Sequence, residues 1–277
     1  CGGLRDYQNL LWMTHFKYGA HTLEQLEAQG MVRPRNRRQL EVGYDFLLRT
    51  RNELHLQTKR LADDIPKALQ PKIAWQLGYK DRSPARRLEA FMRDLYTHMR
   101  AIHLITRMVE RRLALRPKPA RRLPSLRSFF GGGKKTETLD GFNIIDGELV
   151  PISPRIFKDQ PRRLMRVFLH AQQRGLEFHP DLTQLLRDNV SLVDDDFVHD
   201  TENHETFLEI LNQRGNVAPA LRAMHEVDLL GRYIPEFGRM TCLVQHEFFH
   251  AYAADEHTLV CLEKLDQVWD AAQPPFV

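Results

Sequence analysis

The chain has 277 residues, 42% of them hydrophobic and 27% charged, with a formal net charge of +4. These proportions suit a folded chain of about two domains and exclude collagen-like or wholly disordered classes. No apolar run approaches the roughly 18 residues of a membrane span. Cys1, Cys242 and Cys261 lack CxxC spacing, which argues against a disulfide framework and a cysteine zinc site. A cytoplasmic protein with reduced thiols, making no membrane contact, is therefore expected. The chain opens on Cys1-Gly2-Gly3 rather than Met, without a signal peptide, and closes on Pro274-Pro275-Phe276-Val277. A fragment of a longer protein is expected.

Helical periodicity dominates. Leu4, Tyr7, Leu10, Leu11 and Tyr18 recur at helical spacing and Gly19 ends the pattern; a short helix over 23–29 stops at Gly30. A basic turn over 31–38 follows, with Asn36 as the expected cap of a helix bearing Leu40, Tyr44, Leu47, Leu48 and Leu54. Pro71 and Gly78 bracket another helix. Ser83-Pro84 opens the longest, with Leu88, Phe91, Met92, Leu95, Met99, Ile102, Ile105, Val109 and Leu113 on one side, long enough to be the spine of a bundle.

From Arg116 to Asp140 the pattern breaks into a linker with three prolines and Gly131-Gly132-Gly133. Eleven Lys/Arg fall between Arg100 and Lys135 with the single acid Glu110. Without interleaved aromatics before Phe129 the stretch lacks a base-stacking surface, so a solvated helix face running into a basic linker is preferred to nucleic-acid binding. Gly131 to Thr136 fails the phosphate-loop spacing, and no strand leads into it. Phe142 to Val150, split by Asp146-Gly147, is a hairpin signal and the one clear β element. Helices resume from Pro161 to Gly175 and around 182–186, 207–211 and 218–224. Asp255 is expected to cap a last helix carrying Leu259, Leu262, Leu265 and Trp269. The fold class expected is mainly α: helical bundle domains with one short β-hairpin.

Three histidine patterns invite chemistry. His246-Glu247-Phe248-Phe249-His250 is an HExxH string, in which two His one turn apart bind zinc and the Glu polarises water. It lacks a supported third ligand, since Glu263 lies beyond a second helix start. His199-Asp200 lies in a polar acidic stretch and reads as a surface turn. His257 lies in the first turn of the last helix, where a neutral imidazole can ligate a metal whose partners come from later helices.

The tract Arg232 to Leu259, RYIPEFGRMTCLVQHEFFHAYAADEHTL, resembles the start of the HD phosphohydrolase domain of bacterial PII uridylyltransferase/uridylyl-removing enzymes, typically YIPEFG…QHDxxHxYTVDEHTL. Gly2-Gly3-Leu4-Arg5-Asp6 resembles that family's GPGGLRD segment, and 44–55, YDFLLRTRNELH, its central helical signature. Residues 73–79, 91–96 and 207–211 fit in the same order. Glu247 stands where the family has Asp, which creates the HExxH string, and Ala253-Ala254 stand where it has Thr-Val.

The resemblance implies a bifunctional enzyme that moves UMP from UTP to a tyrosine of the signalling protein PII and hydrolyses it off again, with glutamine sensed elsewhere in the chain. The implied organisation is the edge of the nucleotidyltransferase region (1–36), a helical bundle domain (37–116), a basic linker and hairpin (117–160), a second helical segment (161–240) and a truncated HD domain (241–277). Asp6 becomes a candidate acid near the transferase site, with a helix-start carboxylate as the competing reading. His257 becomes the first ligand of a Mg²⁺ or other divalent-metal site whose remaining ligands lie outside this sequence, so the fragment alone should bind no metal tightly and catalyse neither reaction. Arg51, Asn52 and His55 can face nucleotide or PII, or form a polar network pinning the bundle. A non-catalytic helical regulatory module is the alternative function, with a zinc protease behind it.

Overall fold

The computed structural model describes residues 2–115, 137–244 and 253–268. The chain divides into two compact units, Cys1–Leu123 with Cys242–Ala251, and Pro124–Thr241 with Tyr252–Val277. No helix among the described residues is long and apolar enough to cross a membrane.

The first unit is a bundle of α1 (Leu4–Tyr18), α2 (Leu23–Ala28), α3 (Pro34–Thr58), α4 (Gln70–Gln76) and α5 (Pro84–Leu115). The apolar stripe read from the sequence of α5 is its buried face: Leu88, Phe91, Met92, Leu95, Ile102, Ile105, Val109 and Leu113 are all in the core, and Met99 packs half-buried against it. Leu40, Leu47 and Leu54 of α3 and Leu10 of α1 close around it. Removing each such side chain from water contributes about 1.5–3 kcal/mol, so the 32-residue helix is held by packing more than by propensity. α3 begins earlier than expected. Pro34 takes the first helical position, where its missing N–H costs nothing, and Asn36 is buried inside the first turn instead of capping it. Arg112 of α5 donates to the Met31 carbonyl at 2.7 Å, fastening the α2–α3 connection to the far end of the spine.

The second unit opens with β1 (Glu137–Leu139), β2 (Phe142–Ile145) and β3 (Glu148–Pro151). Then come α6 (Ile156–Asp159), α7 (Arg163–Arg174), β4 (Glu177–Phe178), α8 (Pro180–Asn189), α9 (Asp195–His199) and α10 (Thr201–Leu211). It ends with α11 (Val217–Glu226), α12 (Leu229–Tyr233), α13 (Pro235–Met240) and α14 (Ala254–Val268). The hairpin forms as expected: Ile144 faces Leu149 and Ile145 faces Glu148 around Asp146-Gly147, both at positive φ as a type I′ turn requires. The sheet is larger than a hairpin, however, with four strands in the order β1-β2-β3-β4. β1 has three residues and β4 two, too short for any period-two signal. β4 joins parallel to β3 through backbone bonds from Glu177 to Gly147 and from His179 to Leu149.

Phe142 and Leu149 put one face of this sheet on the core with Phe157, Leu164, Val167 and Phe168. Leu182, Ile210, Met224 and Leu259 complete it, so α14 belongs to the same core as the sheet. α12 and α13 meet backbone to backbone. A Cβ on Gly238 would lie 2.4 Å from the Gly231 carbonyl oxygen, which accounts for Gly231 and for the glycine of the YIPEFG segment as a packing contact.

Candidate functional site

α14 carries the sequence that invited metal chemistry. Its first turn reads Asp255-Glu256-His257, and the three side chains go to different places. Asp255 is 1% exposed. It does not cap the helix as expected, because Ala254 is already helical and Asp255 turns inward to α11. Its Oδ2 lies 3.1 Å from Nε2 of His225, itself 2% exposed, at ion-pair distance but off the line of a straight hydrogen bond. The His225 ring packs nearly perpendicular to that of Phe237 of α13, with centroids 5.3 Å apart. Glu256 accepts from Arg222 of α11 at 2.9 Å, and the same guanidinium holds Glu263 two turns further along at 2.6 Å. At the other end of α14, Asp266 accepts the backbone N–H of Ala218 at 2.7 Å, a carboxylate on the N-terminal turn of α11. α11 and α14 therefore run antiparallel, with polar contacts at both ends and Leu259 and Leu262 packed in the core.

His257 lies on the exposed side of the same turn. Its Nε2 is 3.7 Å from the thiol of Cys261, also exposed, one turn along. An imidazole on an accessible helix face is suitable donor chemistry for a divalent ion. Among the described residues, however, no three His, Cys, Asp or Glu are grouped so as to hold a metal. What these residues supply is one exposed imidazole on a well-anchored helix.

Asp6 has a local function. Its Oδ2 accepts the backbone N–H groups of Gly2 at 2.5 Å and Gly3 at 3.1 Å, closing the turn that starts α1. Asp6→Ala should lower the stability of the first unit by about 1 kcal/mol, the usual worth of such a cap, measured by chemical denaturation. Arg51 and His55 go to the loop after α3, Arg51 to Asp63 at 2.8 Å and His55 to the Ala62 carbonyl at 3.0 Å, while Asn52 is exposed. Asp200 caps α10 by accepting from Asn203 and binds Arg162, so His199-Asp200 is a helix boundary.

His246, Glu247 and His250, and most of the basic linker, lie outside the described residues. Glu263, considered as a third ligand for the HExxH string, has its carboxylate on Arg222, which argues against that use. His225 and Arg222 were not identifiable from sequence as partners of the Asp-Glu-His triplet. They sit one turn apart on α11, but nothing in the one-dimensional pattern points them at residues more than 25 positions away.

Residues 1–110 match the family model described as GlnD PII-uridylyltransferase, and residues 142–233 match that described as uridylyltransferase GlnD third domain. Among curated relatives, the bifunctional uridylyltransferase/uridylyl-removing enzyme of Cereibacter sphaeroides is 32% identical over 267 residues, which cover 96% of this chain and 28% of that protein. The protein of the same name from Ruegeria pomeroyi is 31% identical over 268 residues, covering 96% of this chain and 29% of that one. The chain thus spans less than a third of the length of these relatives. No solved structure matches it.

Proposed function

Since this chain belongs to the PII uridylyltransferase/uridylyl-removing family as a portion of the whole protein, we propose that it links the two activities of such an enzyme and contributes a metal ligand to the second. In the whole protein one activity transfers UMP from UTP to a PII-type protein. The other removes it hydrolytically, in a nitrogen-signalling cycle that also responds to glutamine. Residues 1–36 form the edge of the transferase region, with Asp6 shaping its first turn, and 241–277 begin the HD hydrolase domain. The fragment alone is expected to perform neither reaction, since among the described residues no three His, Cys, Asp or Glu are grouped so as to hold a metal.

The observation that carries the hydrolase assignment is the division of labour in the Asp255-Glu256-His257 triplet. The two acids face α11 and the imidazole faces outward. A Mg²⁺ or other divalent ion bound there would neutralise charge on the phosphodiester oxygens and lower the pKa of an attacking water. His257 would hold that ion together with ligands from beyond this sequence. In the full-length parent, His257→Ala should reduce uridylyl removal about 100-fold or more while uridylyl transfer stays within twofold, both read with radiolabelled PII-type protein. Equal removal rates for the variant and the parent would refute the hydrolase assignment and favour a non-catalytic helical module.

A further inference from the structure

We infer that His225 and Asp255 are positioning residues for His257, so that the helical domain ending near Tyr233 supplies a built part of the hydrolase site. This inference rests on the assignment of His257 as a metal ligand. It gives Asp255 of the Asp-Glu-His motif a role and adds His225, which neither the motif nor its spacing identifies.

Leucine packing alone does not fix the register of a docked helix. Leu259 and Leu262 bury α14 against the core, but apolar contacts are non-directional and tolerate a small slide or roll. Each residue of slip along a helix turns a side chain by about 100°. A slip of one residue would therefore carry the His257 imidazole off its face. A buried carboxylate beside a buried imidazole does not tolerate the same slip, because it would leave both groups in a dry pocket without each other. The pair sits two residues before His257, in the same helical turn, and is buried, whereas the Glu256–Arg222 ion pair next to His257 is part-exposed. His225 is in turn seated by Phe237, whose helix α13 packs on α12 through the Gly231–Gly238 backbone contact. The path from the helical domain to His257 is thus continuous: α12, α13, the His225 ring, Asp255 and the first turn of α14. Replacing such a pair by well-packed apolar residues often preserves or raises stability. An ionisable pair at this depth therefore serves register more than stability.

That distinction makes the test. In the full-length parent, the double variant His225→Leu/Asp255→Leu should melt at or above the parent temperature and retain uridylyl transfer. Its affinity for Mn²⁺, titrated by the electron paramagnetic resonance of the free ion, should fall about tenfold, and kcat for uridylyl removal should fall by a similar factor. Should the double variant not fold, the single variants Asp255→Ala and Asp266→Ala each remove one end of the α11–α14 contact. Only Asp255→Ala should weaken Mn²⁺ binding, and equal effects from both ends would reduce the pair to general docking. If the folded double variant binds Mn²⁺ and removes uridylyl within twofold of the parent while His257→Ala loses both, positioning is overturned and the ligand assignment survives. If His257→Ala also leaves both unchanged, the ligand assignment itself fails.

Discussion

Asp140→Ala should destabilise the second unit by about 2–3 kcal/mol and lower its calorimetric transition by roughly 10 °C, with the transition of the first unit unmoved. Asp140 lies in the turn between β1 and β2 at a φ of 49°. It accepts from Arg163 at 3.1 Å and from Arg166 twice at 2.9 Å, and lies 3.3 Å from Nε2 of His170. Its side chain is 17% exposed, and those of Arg163 and Arg166 are 22% and 29%. Removing the carboxylate leaves two half-buried guanidinium groups without their counter-charge, which is worse than never having had the cluster. The penalty is set below that of a fully buried pair because water still reaches both arginines. The same carboxylate ties the sheet to α7, so its loss frees the turn from the helix that covers it.

The pH dependence of that stabilisation has a definite sign. Burial alone pushes the Asp140 carboxyl up, but the hydrogen bonds from Arg166 and Arg163 outweigh it and hold the group below the ordinary carboxylate range. A folded-state pKa below the unfolded one stabilises fully above the unfolded value, near 4, and is lost as pH falls through the folded value. The stability difference between the parent and Asp140→Asn should therefore be flat above about pH 5 and shrink as the solution is acidified below about 4. A difference that grew on acidification would contradict the assigned direction.

Long periodic elements were legible in the sequence because burial writes them directly. The stripe on α5 is its buried face at every position but the half-buried Met99, and the Asp-Gly turn fixed the hairpin register. Elements set by tertiary pairing were not. β4 is two residues whose strand character comes from the backbone of β3, and Asp255 looks like a cap until α11 is placed beside it. The same limit applied to the candidate site. His257 could be singled out through its neighbours, whereas His225 and Arg222 became relevant only through contacts across 30 or more positions. Residues in and beside the segments that carry the family resemblance also have local packing roles. Gly231 and Gly238 allow two helices to touch, and Asp6 closes a turn.

Adjacent glycines at the start of the first unit should respond oppositely to the same substitution. Gly2 has a φ of +103°, and a Cβ there would lie 1.8 Å from the Met99 carbonyl oxygen and 2.5 Å from its carbonyl carbon. The clash is with the backbone of α5, which packing holds in place and no rotamer change can relieve. Gly3, next in sequence, has open space around its Cβ position and a φ of −86°. Gly2→Ala should therefore cost about 3 kcal/mol or force the first turn of α1 off α5, while Gly3→Ala should change stability by less than about 0.5 kcal/mol. Because Asp6 holds both amides, detachment in Gly2→Ala should also expose the first turn, and the amides of Tyr7 to Leu10 should exchange hydrogen about 100-fold faster, as read by mass spectrometry. Equal sensitivity at the two positions would mean that the turn, and not its contact with Met99, is what the Gly-Gly pair provides. A large effect at Gly2 alone makes the GGLRD motif a joint between α1 and α5, through which strain in the first turn of α1 reaches the spine of the bundle.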